Sequence, residues 1–143
     1  MIYFLPILVL VLDQLSKYFI DLNKDLSIIL IPNLLEIVHV YNSGSIFGLL
    51  NGTNDIVLIM ALIIVAVLVI YLYLKKNVAY IQKLGYLLIL SGAIGNILDR
   101  LFRGAVVDFI YIPIINFPVF NIADIAICIG IGLLVIDLFK KKG

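Results

Sequence analysis

The sequence predicts an α-helical integral membrane protein: four transmembrane helices with a small extracytoplasmic β-sheet, forming a single membrane domain over residues 1–143. Three observations carry this expectation. The chain is 64% hydrophobic and only 13% charged, about half the charged share of an ordinary soluble domain. Four apolar stretches, about 2–20, 56–74, 84–102 and 121–139, come close to the roughly 20 residues that carry a helix across a bilayer. Between the first two lies a segment, about 26–50, whose composition favours strands instead.

The first span begins MIYFLPILVLVL, without the positive leader and small-residue cleavage site of a removable signal peptide, and reads as a retained helix. Its later part carries Asp13, Gln14, Ser16 and Lys17. Asp13 and Lys17 are one helical turn apart with the acid first, the favourable orientation for a pair. The competing reading of Lys17 is a helix-end lysine snorkelling to the interface.

In the segment 26–50, Ile28–Ile31 and Leu34–Tyr41 are β-branched and aromatic runs separated by Pro32-Asn33, a hairpin signal. The following YNSGSIFGLLNG places Asn42 among Gly44, Gly48 and Gly52, which favour turns and close backbone approach. A strand edge here suits an extended peptide docking by strand addition. The lone His39 reads as a strand residue without a role.

The second span has no charged residue from Ile56 to Leu74 and nothing on it can do chemistry. The third is uncharged from Leu84 to Leu98 and then reaches Asp99; Gly85, Ser91, Gly92, Ala93 and Gly95 are small residues that let helices approach in lipid. Between 103 and 120, Pro113 and Pro118 forbid one continuous helix. The fourth span starts at Asn121 and is closed by Lys140, Lys141 and Lys142.

Six of the ten basic residues, Lys75, Lys76, Lys83 and Lys140 to Lys142, share one side. The positive-inside rule makes that side, and both termini, cytoplasmic. Asp13, Lys17, Asn96, Asp99, Arg100, Asp108, Asn121 and Asp124 then cluster near the outer interface, and the cytoplasmic half reads as almost pure hydrocarbon. A one-sided polar cluster suits an enzyme acting on a membrane-anchored substrate.

The single Cys128 and single His39 exclude an intramolecular disulfide, multi-cysteine metal sites and a paired-histidine zinc site. Cys128 reads as a small packing or membrane-facing residue. No basic patch suggests nucleic acid. An active site must therefore be made from Asp, Asn, Lys and Arg. Asp108 and Asp124 are the pair to expect: two carboxylates in a poorly solvated site share one proton, giving an acid and a base for hydrolysis without a metal. Asn121 stands at a helix N-cap with Asp124 three residues in, a variant of the capping box, and the helix dipole there favours an anion. Asp124 is accordingly the expected base and Asp108 the protonated partner. Asn96 shares a helical face with Arg100, and Asp99 with Arg103, and the four read as a support shell for the carboxylates; the competing reading, interfacial anchoring, fits Arg103 better than Arg100.

The motifs that hold these residues resemble signal peptidase II, the bacterial prolipoprotein signal peptidase, over nearly the whole chain. They are DQLSK (Asp13, Gln14, Lys17), NSGSIFG (Asn42, Gly44, Phe47), GAIGNILDRLFRGAVVDF (Gly92–Phe109) and FNIAD (Phe120–Asp124). The resemblance implies an Asp108–Asp124 catalytic dyad, with Asn42, Gly44, Asn96, Arg100 and Asn121 near the substrate and Asp13, Lys17 and Asp99 in support. It further implies cleavage of lipid-modified prolipoproteins before a diacylglyceryl cysteine at the outer face of the bacterial cytoplasmic membrane. It implies contact with membrane lipid, inhibition by globomycin, no metal or other cofactor and no obligate protein partner. Ser45 and Ile46 stand where alanines are usual, and Ser91 where a glycine often precedes the third motif. The alternatives from other classes are a small proton-coupled transporter, which would need polar groups on both sides of the midplane, and an assembly protein whose charges only pair helices.

Overall fold

In a computed structural model, which describes residues 2–44, 54–75 and 77–140, four long helices carry a small sheet at one end. The order is α1 (Phe4–Asp21), β1 (Ser27–Ile31), β2 (Leu35–Asn42), α2 (Asn54–Leu74), α3 (Tyr80–Arg103), β3 (Val106–Ile112), a 3-10 turn (Pro113–Ile115), β4 (Phe117–Phe120) and α4 (Ile122–Lys140). Helices α2, α3 and α4 are long and apolar enough to cross a membrane. The 18-residue α1 carries Asp13, Lys17 and Asp21 and is not counted with them. No residue of α2 is buried within the protein, although its sequence is almost wholly Ile, Leu, Val and Ala. Such a surface, with every backbone group satisfied inside the helix, suits lipid as its solvent.

Helix α3 is the centre of the bundle, and α1, α2 and α4 all pack on it. Small residues set how closely they do so. A Cβ added to Gly85 would stand 2.9 Å from the Gly130 carbonyl oxygen, and one added to Gly130 would stand 2.6 Å from that of Gly85. At Gly92 the added carbon would lie 2.3 Å from the carbonyl oxygen of Ala123, in the first turn of α4. That obstacle is backbone and cannot rotate away. Gly92→Ala is therefore expected to destabilise the protein by ~1–3 kcal/mol, the usual cost of overpacking. The check is thermal unfolding in detergent against Gly132→Ala, whose added carbon meets nothing within 4 Å.

The sheet differs from the expected hairpin. It has four antiparallel strands in the order β1-β2-β3-β4, so half of it comes from residues 106–120 and not from 26–50. The signal was of the same kind in both places: Val106-Val107 and Ile110–Ile112, then Pro113–Asn116, then Phe117–Phe120, parallels the strand-turn-strand pattern around Pro32-Asn33. Both turns use an asparagine at positive φ, Asn33 at 59° and Asn116 at 45°, a conformation asparagine tolerates better than most residues. Gly104, at φ 77°, ends α3 in the left-handed conformation, and β3 starts two residues later. Asn42 pairs with Val106 across the β2–β3 ladder, which puts its side chain on the same face as Asp108 and one diagonal step away.

The opposite end of the bundle is not pure hydrocarbon. Asp137 of α4 is 7% exposed and accepts a hydrogen bond from the Gln82 side chain of α3 at 2.8 Å. A single acid inside an otherwise apolar run gave no sequence sign that it faces a partner helix.

Candidate active site

The site stands where the later part of α1, the end of α3, β3 and the first turn of α4 meet. At its base is Lys17, fully buried, with its ammonium 2.9 Å from Asp13 Oδ2 and 2.9 Å from Asp99 Oδ2. Lys17 therefore does not snorkel. One cation between two buried carboxylates is tolerable only because the remaining oxygens are also bonded. Asp13 Oδ1 accepts from the Ala123 backbone N–H at 2.9 Å, so an α1 carboxylate satisfies a first-turn donor of α4. Asp99 accepts from the Val107 N–H at 3.2 Å, from Gln14 at 3.3 Å and from Arg103. Gly95 makes room for this: a Cβ there would sit 2.6 Å from Asp13 Oδ2.

Arg103 is thus an inward partner, bonded to Asp99 and Gln14, and 3.7 Å from Asp21. The Asp99–Arg103 pair expected from their four-residue spacing is formed, and the competing reading of Arg103 as an interfacial anchor gives way to it. His39, without a role in the sequence reading, has its Nε2 3.1 Å from Asp21 Oδ1, which also accepts from the Tyr41 hydroxyl. Asp21, at the end of α1, thereby ties the sheet to the helices. Acid, histidine and tyrosine lie 18 and 20 residues apart, and only the fold of the hairpin over α1 brings them together.

Above Lys17 three asparagines carry the network to Asp108 and Asp124, and groups that can only donate fix the orientation of each amide. Asn96 Oδ1 accepts from Lys17 at 2.9 Å, which turns its Nδ2 to Asp124 Oδ1 at 2.8 Å. Asn121 Oδ1 accepts from the Asp124 N–H at 3.0 Å, leaving its Nδ2 to donate to Asp108 Oδ1 at 2.6 Å and to Asn96 Oδ1 at 3.2 Å. Asn42 Oδ1 accepts from the Gly44 N–H at 3.1 Å, so its Nδ2 donates to Asp108 Oδ2 at 3.0 Å. Gly44, at φ 111°, takes a backbone turn few other residues accept. The Asn121–Asp124 capping box is complete, because Asp124 Oδ2 accepts from the Asn121 N–H at 3.2 Å.

Asp108 and Asp124 line one cavity of about 440 Å³ with Asn42 beside them, and its remaining walls are mainly apolar and include Phe117, Phe120, Ile125 and Cys128. Asp108 is 2% exposed. Burial first, and then the negative charge of Asp124, push its carboxyl pKa up to about 7, while the amides of Asn42 and Asn121 pull the other way. Arg100 donates to the Asn96 carbonyl oxygen at 3.3 Å, and its buried Nε makes no hydrogen bond among the described residues. Ser45, Ile46 and Phe47 of the second motif lie outside those residues. Among the described residues no three His, Cys, Asp or Glu side chains are grouped to hold a metal ion.

The family model described as signal peptidase (SPase) II matches residues 5–140. The chain belongs to the signal peptidase II family. It is 38% identical over 147 residues to the lipoprotein signal peptidase of Halalkalibacterium halodurans, covering 99% of this chain and 94% of that one. With the lipoprotein signal peptidase of Pasteurella multocida it shares 41% identity over 140 residues, covering 92% and 84%. A solved bacterial membrane enzyme superposes with a TM-score of 0.86 at 35% identity, covering 96% of this chain and 87% of the other. The chain is therefore a membrane aspartic peptidase, and neither the transporter nor the helix-pairing alternative is supported.

Proposed function

We propose that this peptidase removes signal peptides from diacylglyceryl-modified prolipoproteins, cutting before the lipidated cysteine, with Asp108 and Asp124 as its catalytic pair. The observation that carries this is the unequal setting of two carboxylates on one cavity. Asp108 is buried, with a pKa near 7, and Asp124 sits in the first turn of α4, where the helix dipole favours an anion. One proton shared between them lets protonated Asp108 donate to the scissile carbonyl oxygen while ionised Asp124 takes a proton from the attacking water. The water oxygen then bonds to the carbonyl carbon. Collapse of the tetrahedral intermediate breaks the C–N bond as a proton passes to the departing amine.

The three asparagines and Arg100 complete the proposal. Asn96 and Asn121 orient the carboxylates, Asn42 at the end of β2 and Gly44 just beyond it lie near the peptide, and Arg100 Nε, without a hydrogen-bond partner among the described residues, offers a donor to the peptide backbone. Asp13, Lys17 and Asp99 hold α1, α3 and β3 in register beneath the pair. With both of its central charges buried and paired, α1 becomes a fourth span, in one membrane domain. The lysine distribution supports a topology with both termini in the cytoplasm and the aspartates at the outer face of the cytoplasmic membrane. The apolar walls beside Asp124 suit a substrate that arrives from the bilayer, and membrane lipid is its solvent.

The test is cleavage of a diacylglyceryl-modified prolipoprotein by the purified protein in detergent with a chelator present. Release of the signal peptide supports the proposal, and an inert protein refutes it. A finer expectation concerns pH. If protonated Asp108 is the acid, activity falls as pH rises through about 7. The Asn42 amide stabilises the ionised form, so Asn42→Ala is expected to move that alkaline limb to higher pH, read from the shape of the kcat/KM profile. A limb moving to lower pH would refute the assignment.

A further inference from the structure

The end of the bundle remote from the aspartates carries a second cavity that the peptidase reaction does not use. It measures about 420 Å³ and is bounded by the starts of α1 and α3 and the end of α2, with Lys75 and Lys83 on its walls. Neither lysine has a carboxylate within salt-bridge distance among the described residues. Lys83, half-buried, holds its ammonium 4.9 Å from the centre of the Tyr3 ring. Lys75 donates to the Tyr71 hydroxyl at 2.6 Å and lies 5.1 Å from that ring's centre. Rings take the place of counter-ions here and leave the positive charge uncancelled. Asp137, the buried acid at this end, is bonded to Gln82 on the side of α3 that faces α4.

A narrower groove of about 220 Å³ shares Tyr3, Leu87 and Leu90 with this cavity and continues along α1 and α3 to Ile94. It is lined by Pro6, Ile7 and Leu10 on the α1 side. Along its length the Ser91 hydroxyl is already donated to the Leu88 carbonyl oxygen at 2.9 Å. From Lys83 to Ile94 is a helical rise of roughly 16 Å, close to the ~15 Å of one leaflet's hydrocarbon. A cationic mouth leading into an apolar groove of that length matches one class of molecule.

We propose that this site binds an anionic phospholipid, its phosphate between Lys75 and Lys83 and an acyl chain along the α1–α3 groove. Charge complementarity selects the headgroup: a net-negative glycerol phosphate satisfies both ammonium groups, whereas a choline headgroup brings its own cation to them. The apolar groove, in turn, discriminates against a free phosphate.

The test is binding of phosphatidylglycerol to the full chain in nonionic detergent, followed by native mass spectrometry, against phosphatidylcholine of the same acyl chains and a dihexanoyl phosphatidylglycerol. Long-chain phosphatidylglycerol is expected to bind at least about tenfold tighter than either comparator. Lys75→Gln with Lys83→Gln is expected to weaken it at least about tenfold, at about fivefold per lysine. Lys75→Arg with Lys83→Arg retains binding, and Lys140→Gln leaves it unchanged. Equal binding of the two headgroups, undiminished binding by the double Gln variant, or an equal loss in Lys140→Gln would overturn the proposal. Unfolding temperatures of the variants close to wild type separate lost binding from lost fold.

Discussion

Asp108→Asn and Asp124→Asn are each expected to lower kcat for prolipoprotein cleavage by at least ~10³-fold, with the fold retained. The magnitude follows from losing a positioned acid or base, typically worth about 10²–10⁴, in a pair that acts as a unit, so that removing either member costs nearly as much as removing both. Retention of the fold follows from the contacts. Asparagine at 124 keeps one oxygen for the Asn121 N–H, and asparagine at 108 removes a charge that burial disfavours.

Asp108 makes a second readout possible. Its carboxyl, ordinarily at 3.8, titrates near 7 in the folded protein. Below 3.8 it is protonated in both states and has no effect. Between 3.8 and 7 the folded protein holds a proton that the unfolded chain has released, so wild-type stability falls as pH rises, by on the order of 4 kcal/mol across that window. Asp108→Asn is expected to lose both activity and this pH dependence. A variant that kept full activity, or an inactive one whose stability still fell with pH as wild type does, would count against the proton assignment.

Lys17→Met is expected to be the most destabilising single change, by ~3–5 kcal/mol. Methionine fills a similar volume, so packing loss is small and the effect is electrostatic. The Asp13 and Asp99 oxygens, each 2.9 Å from the ammonium, would be left as buried, mutually repelling carboxylates. Asn96 would also lose the closer of the two donors to its Oδ1, which weakens the hold on the amide that donates to Asp124. Thermal unfolding in detergent measures the first effect. A cycle with Asp13→Asn separates it from packing: the double variant recovers part of the loss if the unpaired charge is the cause, and adds to it if Lys17 acts only as bulk.

Much of this was legible residue by residue. The uncharged runs located the long helices to within a few residues, because a bilayer demands length and apolarity and little else. Asp13 and Lys17, one turn apart, gave their salt bridge, and Asn121 and Asp124 gave the capping box, because both are contacts between near neighbours. The same spacing gave Asp99 as a partner of Arg103 but not Gln14 and Asp21, which lie on another helix, and it gave nothing at His39, whose partner Asp21 is reached only after the chain folds back. At 106–120 the prolines exclude a continuous helix, but the pairing of the β-branched runs around them into β3 and β4 depends on β2, far away in the chain.

By itself the sequence determined the solvent, the helices, the turn between β1 and β2 and the set of polar residues able to do chemistry, since each depends on composition or on spacing within one element. Tertiary structure alone decided that β3 and β4 complete the sheet, that Asp13 caps a helix 110 residues away, and that Asn42 and Asn121 hold Asp108 from two sides. It also decided which aspartate is shielded from water. A carboxylate's proton depends on everything packed around it, and that packing is made by segments far apart in the chain.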